Sequence, residues 1–475
     1  MRTRILSPCS KFLLVAISYL LLVRFAGLCL ASDNLIIVSP HWEGIKVEFG
    51  EAFREVYQQQ TGRDVELKWL NVGGTSEMLK YLRSEYKSKP GGIDIDIIFG
   101  GGIEPYEELK KLALLESYRV PDHIFGNLAS DLNGVPLYDK NFYWYAATMA
   151  GFGIMYNKVV LERLGLPEPQ TWDDLTRPEI YSWIGSADPR KSGSVHAVYE
   201  IILQAYGWEH GWRTITAIGA NVRAFTAHAS QIPKDVALGE VAYGLAIDSY
   251  AWNQVNEVGS DLIGFIMPRD LTVFNGDGIG ILKGAPNRAV AERFIDFVLS
   301  ERGQKLWILN QGEPGGPRNY QLSKFSVHPK LYPQISGHTS VTINPFEWKS
   351  SFVYDSETGS DRWELLNDLI GSFIVEPHRQ LKTTWKAELE RTSYDSALNR
   401  IMLMSVSLDS VNAILAEKRW DDPVYNKQKL NAWASQVRQA LAPETGGWLL
   451  NLPAIIALAV VMLAAVNRRR RRDMA

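Results

Sequence analysis

Three short apolar runs near the start of the chain, 35–39 (LIIVS), 65–70 (VELKWL) and 93–99 (IDIDIIF), are separated by two stretches of helical period. The first, 46–62 (KVEFGEAFREVYQQQTG), is apolar at Val47, Phe49, Phe53 and Val56 and stops at Gly62. The second opens at Asn71-Val72-Gly73-Gly74-Thr75-Ser76. Strands joined through helices of this length must pair in parallel, with right-handed crossovers. That requirement sets the fold class as α/β. The runs end in small or polar loops, Pro40-His41-Trp42, Asn71 to Ser76 and Gly100-Gly101-Gly102. Such loops share the carboxyl edge of the sheet, where open α/β sheets bind ligands.

A second α/β block occupies 156–268. Between the blocks, 141–157 (NFYWYAATMAGFGIMYN) is extended and aromatic, as expected of a chain crossing between two lobes. The second block holds a strand at WIGSADP, a helix after Ser194, a strand near Val222 and a helix starting near Ser230. Its last clear strand, 242–247, leads into Asp248-Ser249-Tyr250. After Pro268 the chain returns extended (TVFNGDGIGILKGAPN), and 286–307 reads as one helix, apolar at Ala289, Phe294, Phe297, Val298 and Leu306. Gly276, Gly278 and Gly280 sit inside a strand pattern with no helix opening at the third, so they are not a dinucleotide fingerprint.

Two readings stand at SADPRKSGS (186–194). Ser192, Gly193 and Ser194 fall where a helix begins, and serine is an ordinary N-cap. The same start, small and rich in unpaired N–H, also suits a bound anion. The three consecutive glycines, Gly100 to Gly102, mark a close backbone approach.

The ends place the chain in a compartment. Arg2, Arg4 and Lys11 precede an apolar run at 12–23, with small residues around Ala31 and Ser32, so 1–32 reads as a secretory signal. Residues 448–466 (WLLNLPAIIALAVVMLAAV) carry no charge and match the ~30 Å hydrocarbon thickness at ~1.5 Å per residue. Five arginines, Arg468 to Arg472, follow in the basic tail 467–475 and belong on the cytoplasmic side, leaving the bulk of the chain outside. Both cysteines, Cys9 and Cys29, fall in the signal, so neither a disulfide nor a thiolate metal site is expected in the mature chain. The net charge of -3 gives no reason to expect a nucleic-acid partner.

With GFGIMYNKVVLERLGLPEPQTWDDLTRP, SADPRKSGS, GEVAYGLAIDSYAWNQV and GAPNRAVAERFIDFVLSERGQ, the chain from about 35 to 320 resembles the periplasmic solute-binding proteins of ABC importers. That group includes ferric-iron binders and a phosphoglycerate-transport protein. The resemblance implies a two-lobed, type II periplasmic-binding-protein fold that closes on its ligand. The expected division is lobe 1 at 33–140 plus 270–340, lobe 2 at 141–269, and a helical C-terminal extension at 341–445, followed by the transmembrane helix. The extension is read either as packing on the first lobe or as a stalk.

The family's iron ligands are a histidine after the first strand, an acid after the third and a tyrosine pair in the second lobe. Here they correspond to His41, the Gly100 to Gly102 loop and Tyr250-Ala251. One nitrogen and one oxygen donor make a poor ferric site, so no metal and no cofactor are expected. The family's anion-holding helix start falls on Ser192, Gly193 and Ser194, with companions at Gly73, Gly74, Thr75 and Ser76 and at Ser230. The expected ligand-binding set adds Pro40, His41, Trp42, Gly100, Gly101, Gly102, Asp248 and Tyr250. The expected function is capture of a small phosphate-, phosphonate- or carboxylate-bearing solute for an ABC permease and ATPase, by a monomeric, membrane-anchored ectodomain. An iron or iron-chelate binder and a sensory protein feeding a two-component kinase are the alternatives. HExxH, GxSxG and P-loop motifs are lacking, which argues against an enzyme.

Overall fold

The computed structural model describes residues 32–402 and 406–442. The expected signal through Ala31, the span 448–466 and the arginine run lie outside them. Among the described residues no helix is long and apolar enough to cross a membrane.

Lobe 1 is built on parallel β1 (Asp33–Val38), β2 (Val65–Leu70) and β3 (Ile97–Phe99), with β1 in the centre. Helices α1 (Glu43–Thr61) and α2 (Thr75–Ser88) are the crossovers, and α3 (Glu104–Lys111) follows β3. Strand β3 is shorter than the run IDIDIIF implies. Asp96 turns its carboxylate into the ladder, accepting from Ile36 N–H at 2.8 Å and from Asn287 N–H at 2.6 Å.

The long strand β4 (Tyr145–Asn157) joins the lobes, and every residue in it is buried. Strands β5 (Ile184–Ala187), β6 (Val222–Thr226), β7 (Tyr243–Ile247) and β8 (Ile263–Ile266) form lobe 2, and β9 (Phe274–Leu282) returns to lobe 1. One ten-stranded sheet thus has the path β2-β1-β3-β9-β4-β7-β5-β6, with β8 beside β4 and a two-residue strand, Leu115–Glu116, beside β9 as its other members. Strand β4 changes partner midway. Its residues 145–151 pair antiparallel with β9, and Phe152 onward pairs with β7 and β8. The change of partner falls between Gly151 and Phe152, where a bend would break neither ladder.

The single helix read at 286–307 is two, Arg288–Leu299 and Glu301–Ile308. Ser300 breaks it by turning extended and capping the second helix, accepting from Gly303 N–H at 3.2 Å.

Beyond residue 341 the extension is largely helical, and it packs on both lobes. Helices α4 (Gly193–Tyr206) and α5 (Trp208–Asn221) of lobe 2 share an apolar core with α7 (Trp363–Ile370) and α8 (His378–Arg391) of the extension, α6 being Asp248–Val258. Trp385 is fully buried there, its indole N–H held by Asn221 Oδ1 at 2.9 Å. Met78, Leu79 and Leu82 of α2 in lobe 1 belong to the same core.

Candidate functional site

The carboxyl ends of β1, β2 and β3 face those of β5, β6 and β7 across a cavity of about 340 Å³. Pro40, His41, Trp42, Gly73, Gly74, Thr75, Gly101, Gly102, Ser192, Gly193, Ser194, Ser230 and Tyr250 line it. Ser76, Gly100 and Asp248 stand behind the wall. The lining also includes Asn71, Glu104, Lys191, His228, Ser249, Asn275, Asp277, Lys324 and Trp363, which sequence reasoning does not mark as ligand contacts.

Two helix starts meet at the lobe boundary. At α4, Ser192 Oγ accepts from Val195 N–H at 3.3 Å, so Ser192 is an ordinary cap. Its cap leaves the N–H groups of Gly193 and Ser194 without an intrahelical acceptor. At α2, Glu77 reaches back to Gly74 N–H at 3.0 Å, and the N–H groups of Thr75 and Ser76 are likewise left over. These starts approach closely because of glycine. A Cβ on Gly193 would lie 2.7 Å from Thr75 Oγ1, and one on Gly74 would overlap the Lys191 carbonyl oxygen. Both helices direct the positive ends of their dipoles at one place. Ser230 precedes a shorter helix, Gln231–Ala237, and makes no side-chain cap.

The three-glycine loop does something else. Gly100, Gly101 and Gly102 all have positive φ, 95°, 102° and 87°, which curls the loop into a nest of N–H groups. The anion in that nest is the protein's own. Asp277 Oδ1 accepts from Gly101 N–H at 2.6 Å and from Gly102 N–H at 3.2 Å. Asp277 Oδ2 accepts from His41 Nε2 at 3.0 Å and pairs with Lys324 Nζ at 2.9 Å. Gly100 is small to make room for His41, since a Cβ there would lie 2.5 Å from Nε2. The close approach expected of these glycines is thus made by a carboxylate from β9.

The electrostatics close on themselves. Burial works against the Asp277 carboxylate, but Lys324 and His41 outweigh it and hold its pKa well below the usual range. Burial likewise opposes the Lys324 ammonium, yet Asp277 keeps it above the ordinary lysine value. Burial lowers His41, so it stays neutral and Nε2 carries the donated proton. Glu104, also fully buried, is pushed up by burial, and its Oε1 accepts from Asn275 Nδ2 at 2.7 Å and Tyr354 OH at 3.0 Å.

Asp248 is fully buried, its Oδ1 accepting from Ser249 N–H at 2.7 Å in the first turn of α6. Burial lifts its pKa to about 7. It shapes the helix start that presents Ser249 and Tyr250 to the cavity. Ser76 Oγ accepts from Trp363 Nε1 at 3.1 Å and Asn367 Nδ2 at 3.2 Å, which ties it to the extension.

Of these unmarked residues, Asp277 does carry a signal. A charged residue between two glycines inside a fully buried strand, GDG, demands a buried cationic partner. Lys324 and Trp363 carry no local signature.

Residues 107–331 match the family model of the bacterial extracellular solute-binding proteins. The phosphoglycerate transport regulatory protein PgtC of Salmonella typhimurium is 24% identical over 270 residues, covering 52% of this chain and 67% of PgtC. The periplasmic binding protein AfuA of Actinobacillus pleuropneumoniae, solved with exogenous fructose-6-phosphate bound, superposes with a TM-score of 0.53. That match has 19% identity over 76% of this chain and 100% of AfuA. Iron-bound HitA of Pseudomonas aeruginosa superposes with a TM-score of 0.55 at 18% identity, over 71% of this chain and 99% of HitA. A facing pair of α/β lobes, with strand ends turned on a shared cavity and one long strand joining them, agrees with the match of residues 107–331 to the bacterial extracellular solute-binding proteins.

Proposed function

We propose that this chain is the extracytoplasmic solute-binding component of an ABC importer, and that its solute is a small anion bearing a phosphate, phosphonate or carboxylate. The carrying observation is the pair of helix starts, Thr75–Ser88 and Gly193–Tyr206, that converge from opposite lobes with unpaired N–H groups. An anion placed between them is held by both lobes at once, which is what favours the closed form. Lys191 at the rim and the hydroxyls of Thr75, Ser194 and Ser230 supply further donors.

The acids support the sign of the charge. Among the described residues the cavity is lined by two, Glu104 and Asp277. Asp277 is already matched by Lys324, and Glu104 is displaced toward its neutral form. Neither is free to balance a cationic solute. Ferric iron fits poorly for a related reason. His41 Nε2 is engaged by Asp277, the Lys324 ammonium stands beside it, and among the described residues Tyr250 is the one tyrosine of the lining.

Calorimetric titration with organophosphates, phosphonates and dicarboxylates tests the reading. At least one anion should bind tightly, and a protein whose tight ligands were all neutral or cationic would refute it. We also place the ectodomain on the membrane through 448–466, with the arginines inside. A chain cut after residue 445 should leave the membrane fraction as a folded binder, and persistent association would contradict the anchor.

A further inference from the structure

A short stretch of the extension, 354–370, lies outside the family match yet bonds to both lobes. Toward lobe 1, Tyr354 OH reaches Glu104, Trp363 Nε1 and Asn367 Nδ2 both reach Ser76 Oγ, and Glu364 pairs with Arg83 at 2.9 Å. Toward lobe 2, Asn367 Oδ1 accepts from His196 Nδ1 at 2.8 Å. Burial holds His196 down to about 4, so it is neutral and donates. Arg362 meets Glu200 through three contacts of 2.6–3.1 Å. The Trp363 ring lies against His196, tilted by 37° with centroids 3.7 Å apart, and Trp363 also lines the cavity. A single amide, Asn367, therefore hydrogen-bonds an α2 residue of one lobe and an α4 residue of the other.

We propose that this stretch is a third wall of the solute site. Trp363 contacts the solute and limits its size, and Asn367 is a positioning residue that fastens the two lobes over it. The inference rests on the cavity being the solute site, as read above. It adds that hinge motion at β4 is held in check by contacts the family match does not contain. Lobe opening has to break the bonds at Ser76 or at His196, because one side chain makes both.

The test uses the full chain with Cys9 and Cys29 replaced by serine and spin labels at Ser88→Cys in lobe 1 and Leu238→Cys in lobe 2. The parent should give one narrow inter-lobe distance. Ser76→Ala, a small change that removes both bonds to α2, should add a longer population, and Asn367→Leu should do so more strongly. Identical distributions in the parent and in folded Ser76→Ala would overturn the fastening role, even if Asn367→Leu failed to fold. For the wall, sn-glycerol 3-phosphate and adenosine 5′-monophosphate are titrated into the parent, Trp363→Phe and Trp363→Ala. The alanine variant should gain at least tenfold in relative affinity for the larger phosphate, while the phenylalanine variant keeps the parent's preference. An unchanged ratio in Trp363→Ala would overturn the wall. If neither phosphate bound any variant, the solute-contact role would fail along with the anion reading for these probes, and the distance measurement would still decide the fastening.

Discussion

Gly193→Val should weaken binding of the anionic solute by at least tenfold, equivalent to ~1.4 kcal/mol, while leaving the fold intact. The side chain would strike Thr75, whose Oγ1 and Cβ lie 2.7 and 2.8 Å from the added Cβ. Thr75 belongs to the other lobe, so the clash acts against closure and not against either core. It would also displace whatever sits between the two helix starts. Charge-assisted hydrogen bonds of that kind contribute ~1.5–3 kcal/mol each, so the loss of one already reaches the expected effect. Titration of the variant, beside an unchanged far-ultraviolet dichroism spectrum and melting temperature, checks both halves. Binding within twofold of the parent would mean that the helix starts do not hold the solute.

Arg362→Met should destabilise the protein by ~3–5 kcal/mol, the usual cost of stranding one member of a buried ion pair. Glu200 is 0% exposed at its side chain and Arg362 9%, so water cannot take over the lost contacts. Gln204 Nε2, at 2.6 Å from Glu200 Oε1, would still donate to the carboxylate, but as a neutral amide it cannot balance a charge left between α4 and the extension. The double variant Glu200→Met/Arg362→Met should regain much of the loss, because removing both charges removes the stranded one. Urea unfolding of the parent and the two variants measures this. A loss below ~1 kcal/mol in the single variant would place the pair among weak surface contacts instead.

Local rules make much of the site legible. Helix starts are written within four or five residues, so NVGGTSE and RKSGS can be placed at the edge of a sheet from the order of the residues alone. At Ser192 the cap and the anion site look like rivals in the sequence, but they involve different atoms. The hydroxyl caps Val195, and the next two amides remain open. Long-range pairing is not legible. His41 and Asp277 are 236 positions apart, and Asn367 and Ser76 are 291 apart. No periodicity or spacing joins such residues. The same limit explains β3, which Asp96 shortens through bonds to Ile36 and Asn287. It explains the extension too: its helices are visible as amphipathic stretches, but which surface they cover depends on α4 and α5.

The carboxylate seated in the three-glycine nest occupies that loop's amides from within the protein. Gly101 and Gly102 donate to Asp277, Gly100 N–H donates to the Gly278 carbonyl at 2.7 Å, and the other oxygen of Asp277 is engaged by Lys324 and His41. A solute anion therefore finds no open amide in the glycine loop, whereas the first amides of α2 and α4 have no intrahelical acceptor. The nest is thus an anion site with a resident tenant, and the cavity's unoccupied backbone donors are those at its two helix starts.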